Sequence, residues 1–287
     1  MVNFYDKILK NPQFYRQLNC RDKLVTIYNC PLETKFSDIW TQHNYVVYVT
    51  EGRKVWHTPR GSFDIAAGTC VFVPKGACIV EQFFDTPFCL AMFFLPDEFI
   101  CEVIKNKTTP LSSRIPSFKP VIPIDKNERL DVYFHSMFSY FALHQEPDQS
   151  LLELKFRELI LILADNMNNG ELLSFFNALL NEPQTISLQR VMEENYCYNL
   201  RLEAFAQLCN RSLSAFKRDF EKVFNTSPGK WLMEKRLNYA MHLLSTSTKP
   251  VSEIAFESGF ESPAHFSRAF RSHFDLSPSA IKQKETA

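Results

Sequence analysis

Two stretches of this chain repeat one another, so whatever fold it adopts must use one supersecondary unit twice. Arg201–Pro228 reads RLEAFAQLCNRSLSAFKRDFEKVFNTSP, and Val251–Pro278 reads VSEIAFESGFESPAHFSRAFRSHFDLSP. Phe216, Arg218, Phe220, Phe224, Ser227 and Pro228 recur 50 positions later as Phe266, Arg268, Phe270, Phe274, Ser277 and Pro278. Phe205, Ala206 and Asn210 match Ile254, Ala255 and Gly259 at an offset of 49, so the turns differ by one residue.

The later copy predicts two short helices joined by a tight turn. Ile254, Ala255 and Ser258 fall at helical spacing, and Ala255 is small enough for a second helix to cross close by. Gly259 supplies a residue free to take positive φ, and Asn210 is the next most tolerant type at the matching place. Ser262 is an N-cap with Pro263 in the first turn, and Phe266, Phe270 and Phe274 then form an inward stripe. At 100° per residue, Ala264, Arg268 and Arg271 lie on the opposite side, flanked by His265 and Ser267. In the first copy Leu213, Phe216, Phe220, Val223 and Phe224 point inward, leaving Ser214, Lys217, Arg218, Glu221 and Lys222 outside.

A basic, small-residue outer face on the second helix of such a pair suits the major groove of double-stranded DNA. The base-edge candidates are Ser214, Lys217 and Arg218 on the first reader and Ser262, Ala264, His265, Ser267 and Arg268 on the second. Lys222, Lys230 and Arg271 are assigned to phosphates. The competing reading has Arg218 and Arg268 bracing the fold against Glu203 or Glu257, with Asp219 and Glu221 solvated or paired within the chain. Between the copies, Gly229–Ser245 carries Trp231, Leu232, Leu237, Ala240, Met241 and Leu244 at helical spacing. Such a rod is ~25 Å long, which with the flanking helices allows readers one DNA turn, ~34 Å, apart.

This arrangement resembles the DNA-binding domain of the AraC/XylS family of bacterial transcription regulators. The resemblance runs from Ile186 to Ile281 and is carried by Arg236-Leu237, Ala240, Leu244, Ile254-Ala255, Gly259-Phe260, Phe266, Arg268, Phe270 and Ser277-Pro278. It departs at Asn225 and Asp275, where the family usually ends each reader with Gly; both residue types tolerate a left-handed cap. The resemblance implies a cupin-like N-terminal domain, action as an activator through contact with RNA polymerase, and dimerisation through helices that follow the barrel.

The rest of the chain is consistent with that division. At 287 residues and 45% hydrophobic it can hold two ordinary cores. Net charge is zero overall, but Pro183–Ala287 has 14 Lys+Arg against 11 Asp+Glu, leaving 18 against 21 elsewhere. Short β-rich runs at Leu24–Tyr28, Lys35–Trp40, Tyr45–Thr50, Lys54–Thr58, Ser62–Ile65, Cys70–Val73, Cys78–Phe84 and Phe88–Phe94 predict a jelly roll or small antiparallel barrel. Met1–Cys20 reads as a leader with a short helix. Pro110, Ser112, Ser113, Pro116, Pro120 and Pro123 mark a connector, and amphipathic helices follow over Glu128–Gln145, Leu151–Asn168 and Glu171–Asn181. Their stripes must be buried against the barrel or a second subunit, so a homodimer is expected. Asn181–Thr185 is the boundary, with Ser187 capping the next helix; the fold class is α+β, with a regulatory domain at 1–180 and a DNA-binding domain at 181–287.

Metal-dependent barrels need three or four converging N/O ligands, whereas His43 and His57 stand alone here, so neither a metal, a cofactor nor catalytic residues are expected. Trp40, His43, Tyr45 and Trp56 are the candidates for binding a small-molecule effector; the bland alternative is a barrel filled by its own side chains, with a regulatory protein as the partner. The eight cysteines form no C-x-x-C pair and read as small buried apolar residues. No cleavable leader and no run of ~18 apolar residues occurs, which predicts a cytoplasmic protein without a membrane partner.

Overall fold

The run Leu90-Ala91-Met92-Phe93-Phe94-Leu95 is at most 1% exposed at every position, so this strand is covered on both faces. An antiparallel strand with one wet face would alternate instead. The reason is visible in a computed structural model that describes residues 1–29, 34–84, 86–111, 119–142, 146–181 and 184–285. The chain divides into two units, Val2–Glu182 and Pro183–Ala287.

The first unit opens with β1 (Val2–Asn3), α1 (Phe4–Leu9), β2 (Arg16–Cys20), β3 (Lys23–Asn29) and β4 (Phe36–Thr41). It continues through β5 (Asn44–Glu51), β6 (Arg53–Thr58), β7 (Gly61–Ala66), β8 (Cys70–Val73), β9 (Gly76–Gln82) and β10 (Cys89–Leu95). Then come α2 (Asp97–Lys105), β11 (Ile122–Pro123), α3 (Glu128–Ala142), α4 (Gln149–Asp165) and α5 (Gly170–Asn181). The strands form two sheets, ordered β1-β4-β9-β6-β7 and β11-β8-β5-β10-β3-β2, antiparallel except for β1 against β4. Of the two expected forms this is the double-sheet one, not a closed barrel.

Successive side chains on a strand point to opposite faces, so the second sheet serves two cores. Tyr45, Val47, Val49, Leu90, Met92 and Phe94 meet Ile39, Trp56, Ile65, Cys78 and Val80 of the first sheet. Val46, Phe72, Ala91, Phe93 and Leu95 face the helices, against Phe99, Phe134, Phe156 and Phe176. Tyr48 stacks on Phe134 at 4.3 Å, and Phe72 meets Phe175 at 5.0 Å.

All eight expected strands are present within a few residues. The presumed leader holds more than a helix, because β1 and β2 extend the two sheets. The helix α2, not expected, begins directly after β10. The helix α4 stops at Asp165, short of Asn168, where the Asn166 amide donates to the Asp125 carbonyl (3.0 Å) and carboxylate (3.1 Å). Ser112, Ser113 and Pro116 of the connector, Gln145, Cys30 and the Glu182-Pro183 boundary lie outside the described residues. The other seven cysteines form no disulfide. Among the described residues no helix is long and apolar enough to cross a membrane.

The second unit is helical: α6 (Gln184–Asn195), α7 (Leu202–Leu208), α8 (Leu213–Phe224), α9 (Pro228–Thr246), α10 (Val251–Glu257), α11 (Pro263–Phe274) and α12 (Pro278–Glu285). Helix α6 starts ahead of the expected Ser187 cap. Leu237, Ala240 and Leu244 of α9 pack with Ile254, Ala255, Phe260, Phe266 and Phe270, so the spacer helix supplies one wall of the later repeat.

Candidate nucleic-acid interface

The two repeats close their turns with the same backbone device. Asn210 (φ 53°) and Gly259 (φ 84°) take the left-handed region after α7 and α10. The next N–H, of Arg211 or Phe260, then returns to the carbonyl of Ala206 (2.9 Å) or Ala255 (3.0 Å). This satisfies helix-end carbonyls that would otherwise lack partners. Ser212 and Ser262 start the second helices, accepting from the Ala215 and His265 N–H groups, each at 3.3 Å. Asn225 (φ 53°) and Asp275 (φ 57°) end them in left-handed caps, as their residue types allow.

Phe216, Phe220, Phe266 and Phe270 are fully buried, which fixes the rotation of both helices. The outer faces follow from that. Ser214, Lys217, Arg218 and Lys222 are exposed on α8, and Ala264, His265, Arg268 and Arg271 on α11. Ser262 and Ser267 are half-buried, and the Ser262 hydroxyl is engaged as a cap. The His265 ring stands edge-on to Phe260 at 5.6 Å. Lys230 is exposed in the first turn of α9, beside the Ser227 cap.

Electrostatics favour an anion outside these helices. Among the described residues no carboxylate pairs with Lys217, Lys222, Arg268 or Arg271. Arg218 Nε reaches the neighbouring Asp219 at 3.3 Å from a side chain 65% exposed, and does not brace Glu203 or Glu257. Glu257 is held instead by Lys249 at 2.5 Å, and Asp219 by Arg211. Cations left without a partner in the fold are the ones that gain most from neutralising phosphates. The spacer α9 has 19 residues, and a helix of that length is about 28 Å long.

Two structural residues here carry more than their sequence context suggests. Arg211, in the first turn, locks Asp219 of α8, a pair the second repeat lacks because Ala269 stands at the matching place. Arg236, on α9, donates from Nε to the Tyr196 carbonyl (2.7 Å) and from Nη2 to the Tyr198 carbonyl (2.6 Å). Burial holds its pKa below the usual guanidinium value and pushes the nearby Cys197 thiol up to about 12.

In the first unit, two of the four effector candidates meet. Trp56 Nε1 donates to Tyr45 Oη at 3.4 Å, both residues being 2% exposed, and burial raises the Tyr45 pKa well above its ordinary value. Tyr45 packs on Phe94, Phe94 on Tyr5, and Tyr5 edge-on against His43 at 4.5 Å, so His43 joins them through a chain of rings. Burial lowers the His43 pKa. Trp40 is 9% exposed on β4, whose first-sheet neighbours are β1 and β9. His57 hydrogen-bonds Ser62 Oγ (2.7 Å) and Glu81 Oε2 (3.0 Å) across the first sheet, and the bond from His57 holds the Glu81 carboxyl below its usual range. Among the described residues no three His, Cys, Asp or Glu side chains converge as metal ligands. A separate cleft of about 340 Å³ lies between the β2–β3 turn and the start of α4, lined by Cys20, Arg21, Gln149, Ser150, Glu153 and Leu154.

Comparison with known proteins gives the following. Residues 44–175 match a family model described as the ExsA N-terminal regulatory domain, and residues 205–284 match one described as a helix-turn-helix domain. The virulence regulon transcriptional activator VirF of Yersinia enterocolitica is 27% identical over 250 residues, 83% of this chain and 88% of that protein. The HTH-type transcriptional regulator ExsA of Pseudomonas aeruginosa is 33% identical over 141 residues, 49% of this chain and 50% of its own. A crystal structure of apo ToxT from Vibrio cholerae aligns over 93% of this chain and 98% of that one, with TM-score 0.44 and 14% identity.

Proposed function

The chain belongs to the AraC/XylS family of bacterial transcription regulators, and from that premise we propose that it activates transcription by seating α8 and α11 in successive major grooves of one DNA site. It is a DNA-binding regulator and not an enzyme. Ser214, Lys217, Arg218, Ala264, His265, Ser267 and Arg268 read base edges, with Ser262 contributing its cap position; Lys222, Lys230 and Arg271 hold phosphates. The observation that carries this is the doubled helix pair whose outer faces carry Lys217, Lys222, Arg268 and Arg271 with no carboxylate partner among the described residues. Residues 181–287 bind DNA, and residues 1–180 receive the signal that controls binding or contact with RNA polymerase. Leu151, Leu154 and Leu161 are exposed on α4, which supports pairing with a second copy of the chain.

The signal in this reading is a small molecule bound by the first unit, and the cleft beside Arg21 and Glu153 supports it by offering open space with polar tips. A protein partner is the second reading. It is favoured by Tyr45 and Trp56, which already satisfy one another inside a filled core. Binding of the purified protein to fragments of the source genome tests the proposal. A small set of fragments upstream of genes should be retained in the presence of excess random duplex; uniform retention of all fragments would contradict it.

A further inference from the structure

We propose that Arg236 is the positioning residue that fixes the second reader relative to the first, and so sets the spacing of half-sites the protein accepts. The inference rests on the two-reader reading above. Three elements that are remote in sequence meet at this side chain. The loop Tyr196–Tyr198 leads from α6 into the first repeat, with the Leu200 N–H closing on the Tyr198 carbonyl at 2.8 Å just before α7. Arg236 itself lies on the spacer α9, beside the buried Leu237. Gly259 is the turn of the second repeat, where a Cβ would stand 2.8 Å from the Cys197 oxygen and 2.9 Å from Arg236 Nε.

The chemistry suits a clamp better than a filler. An apolar side chain would pack α9 against its neighbours, yet the chain places a half-buried guanidinium here, and among the described residues no carboxylate pairs with it. Its planar fork has two donors at a fixed angle, and they take two carbonyls two residues apart, which fixes direction as well as distance. These carbonyls follow the C-terminus of α6, where the helix dipole favours a cation. Tyr196 adds an edge-to-face contact with Tyr239, one turn along α9, at 5.8 Å. Each helix pair has its own buried phenylalanines, so removing the fork frees the angle between readers without dissolving either one.

The test compares the full-length protein with Arg236→Met, which keeps an apolar stem and removes the donors, and with Arg236→Lys. Affinity is measured for a duplex carrying both half-sites, for duplexes with either half scrambled, and for a series with one or two base pairs inserted or deleted between them. The wild type should lose about tenfold or more when the spacing changes, the cost of roughly one bidentate base contact. Arg236→Met should bind the intact site about tenfold more weakly, keep its single half-site affinities within about twofold, and show a flattened spacing profile. Arg236→Lys should fall between. Equal losses on single and double sites, or an unchanged spacing profile, would overturn the proposal. Should Arg236→Met fail to fold, Arg236→Lys decides: a flattened spacing profile supports the proposal, and a profile as steep as the wild type's overturns it. If scrambling one half costs the wild type nothing, the two-reader premise fails instead, whatever Arg236 does.

Discussion

Asn225 and Asp275 end the two readers with φ of 53° and 57°, a region that costs a residue with a Cβ more than it costs glycine. Asp275→Gly should therefore stabilise the second unit by about 0.5–1 kcal/mol, the relief of the left-handed cap less the extra freedom glycine has when unfolded. A urea titration checks this, and a lowered midpoint would mean that the Asp275 side chain contributes something the cap geometry does not explain. At this scale the sequence was most legible where sterics are severe. Positive φ was expected at Gly259 and allowed at Asn210, Asn225 and Asp275, and all four have it. Ion pairs were not legible: Arg218 has Asp219 as its near partner, while Glu257 goes to Lys249, because long side chains choose among partners that only the folded chain brings close.

Helix α8 separates two kinds of contact along one face. In the proposed binding mode its N-terminal part enters the groove deeply, so Lys217→Ala should cost about 1–3 kcal/mol on the specific site and relax preference at one base pair. Arg271→Ala, near the end of α11, should weaken specific and random DNA alike and reduce the salt slope by about one. Competition titrations at two salt concentrations distinguish them; equal losses on specific and random duplex for Lys217→Ala would remove it from the base readers. Among elements, those with strong apolar periodicity were readable and the edges were not. Strand β2 (RQLNC) is half polar, and the turn to β3 uses Arg21 at φ 56° in place of the glycine or asparagine that would have announced a hairpin. In α2, Phe99, Ile100, Val103 and Ile104 face the core, but the helix follows β10 after a single residue, Pro96, so its apolar run merges with the strand's. The four aromatic candidates in the first unit suffered from the period of two. Without register, inward and outward positions on β5 and β6 cannot be told apart, and Tyr45 and Trp56 turn out to fill the space between the sheets.

For the whole molecule, the account requires one polypeptide to lay two similar helices against one side of B-form DNA, with α9 as the rod between them. The doubled motif was legible because the two copies keep the same phenylalanines, serine caps and left-handed turns while most other positions differ. The control exerted by the first unit was not legible, since a sandwich of two sheets sets no chemistry by itself. Protection of guanine N7 from methylation, mapped along a bound operator, is the most direct test. Two protected clusters about 10 base pairs apart, both on one face of the duplex, are the predicted result. A single cluster, or two on opposite faces, would contradict it.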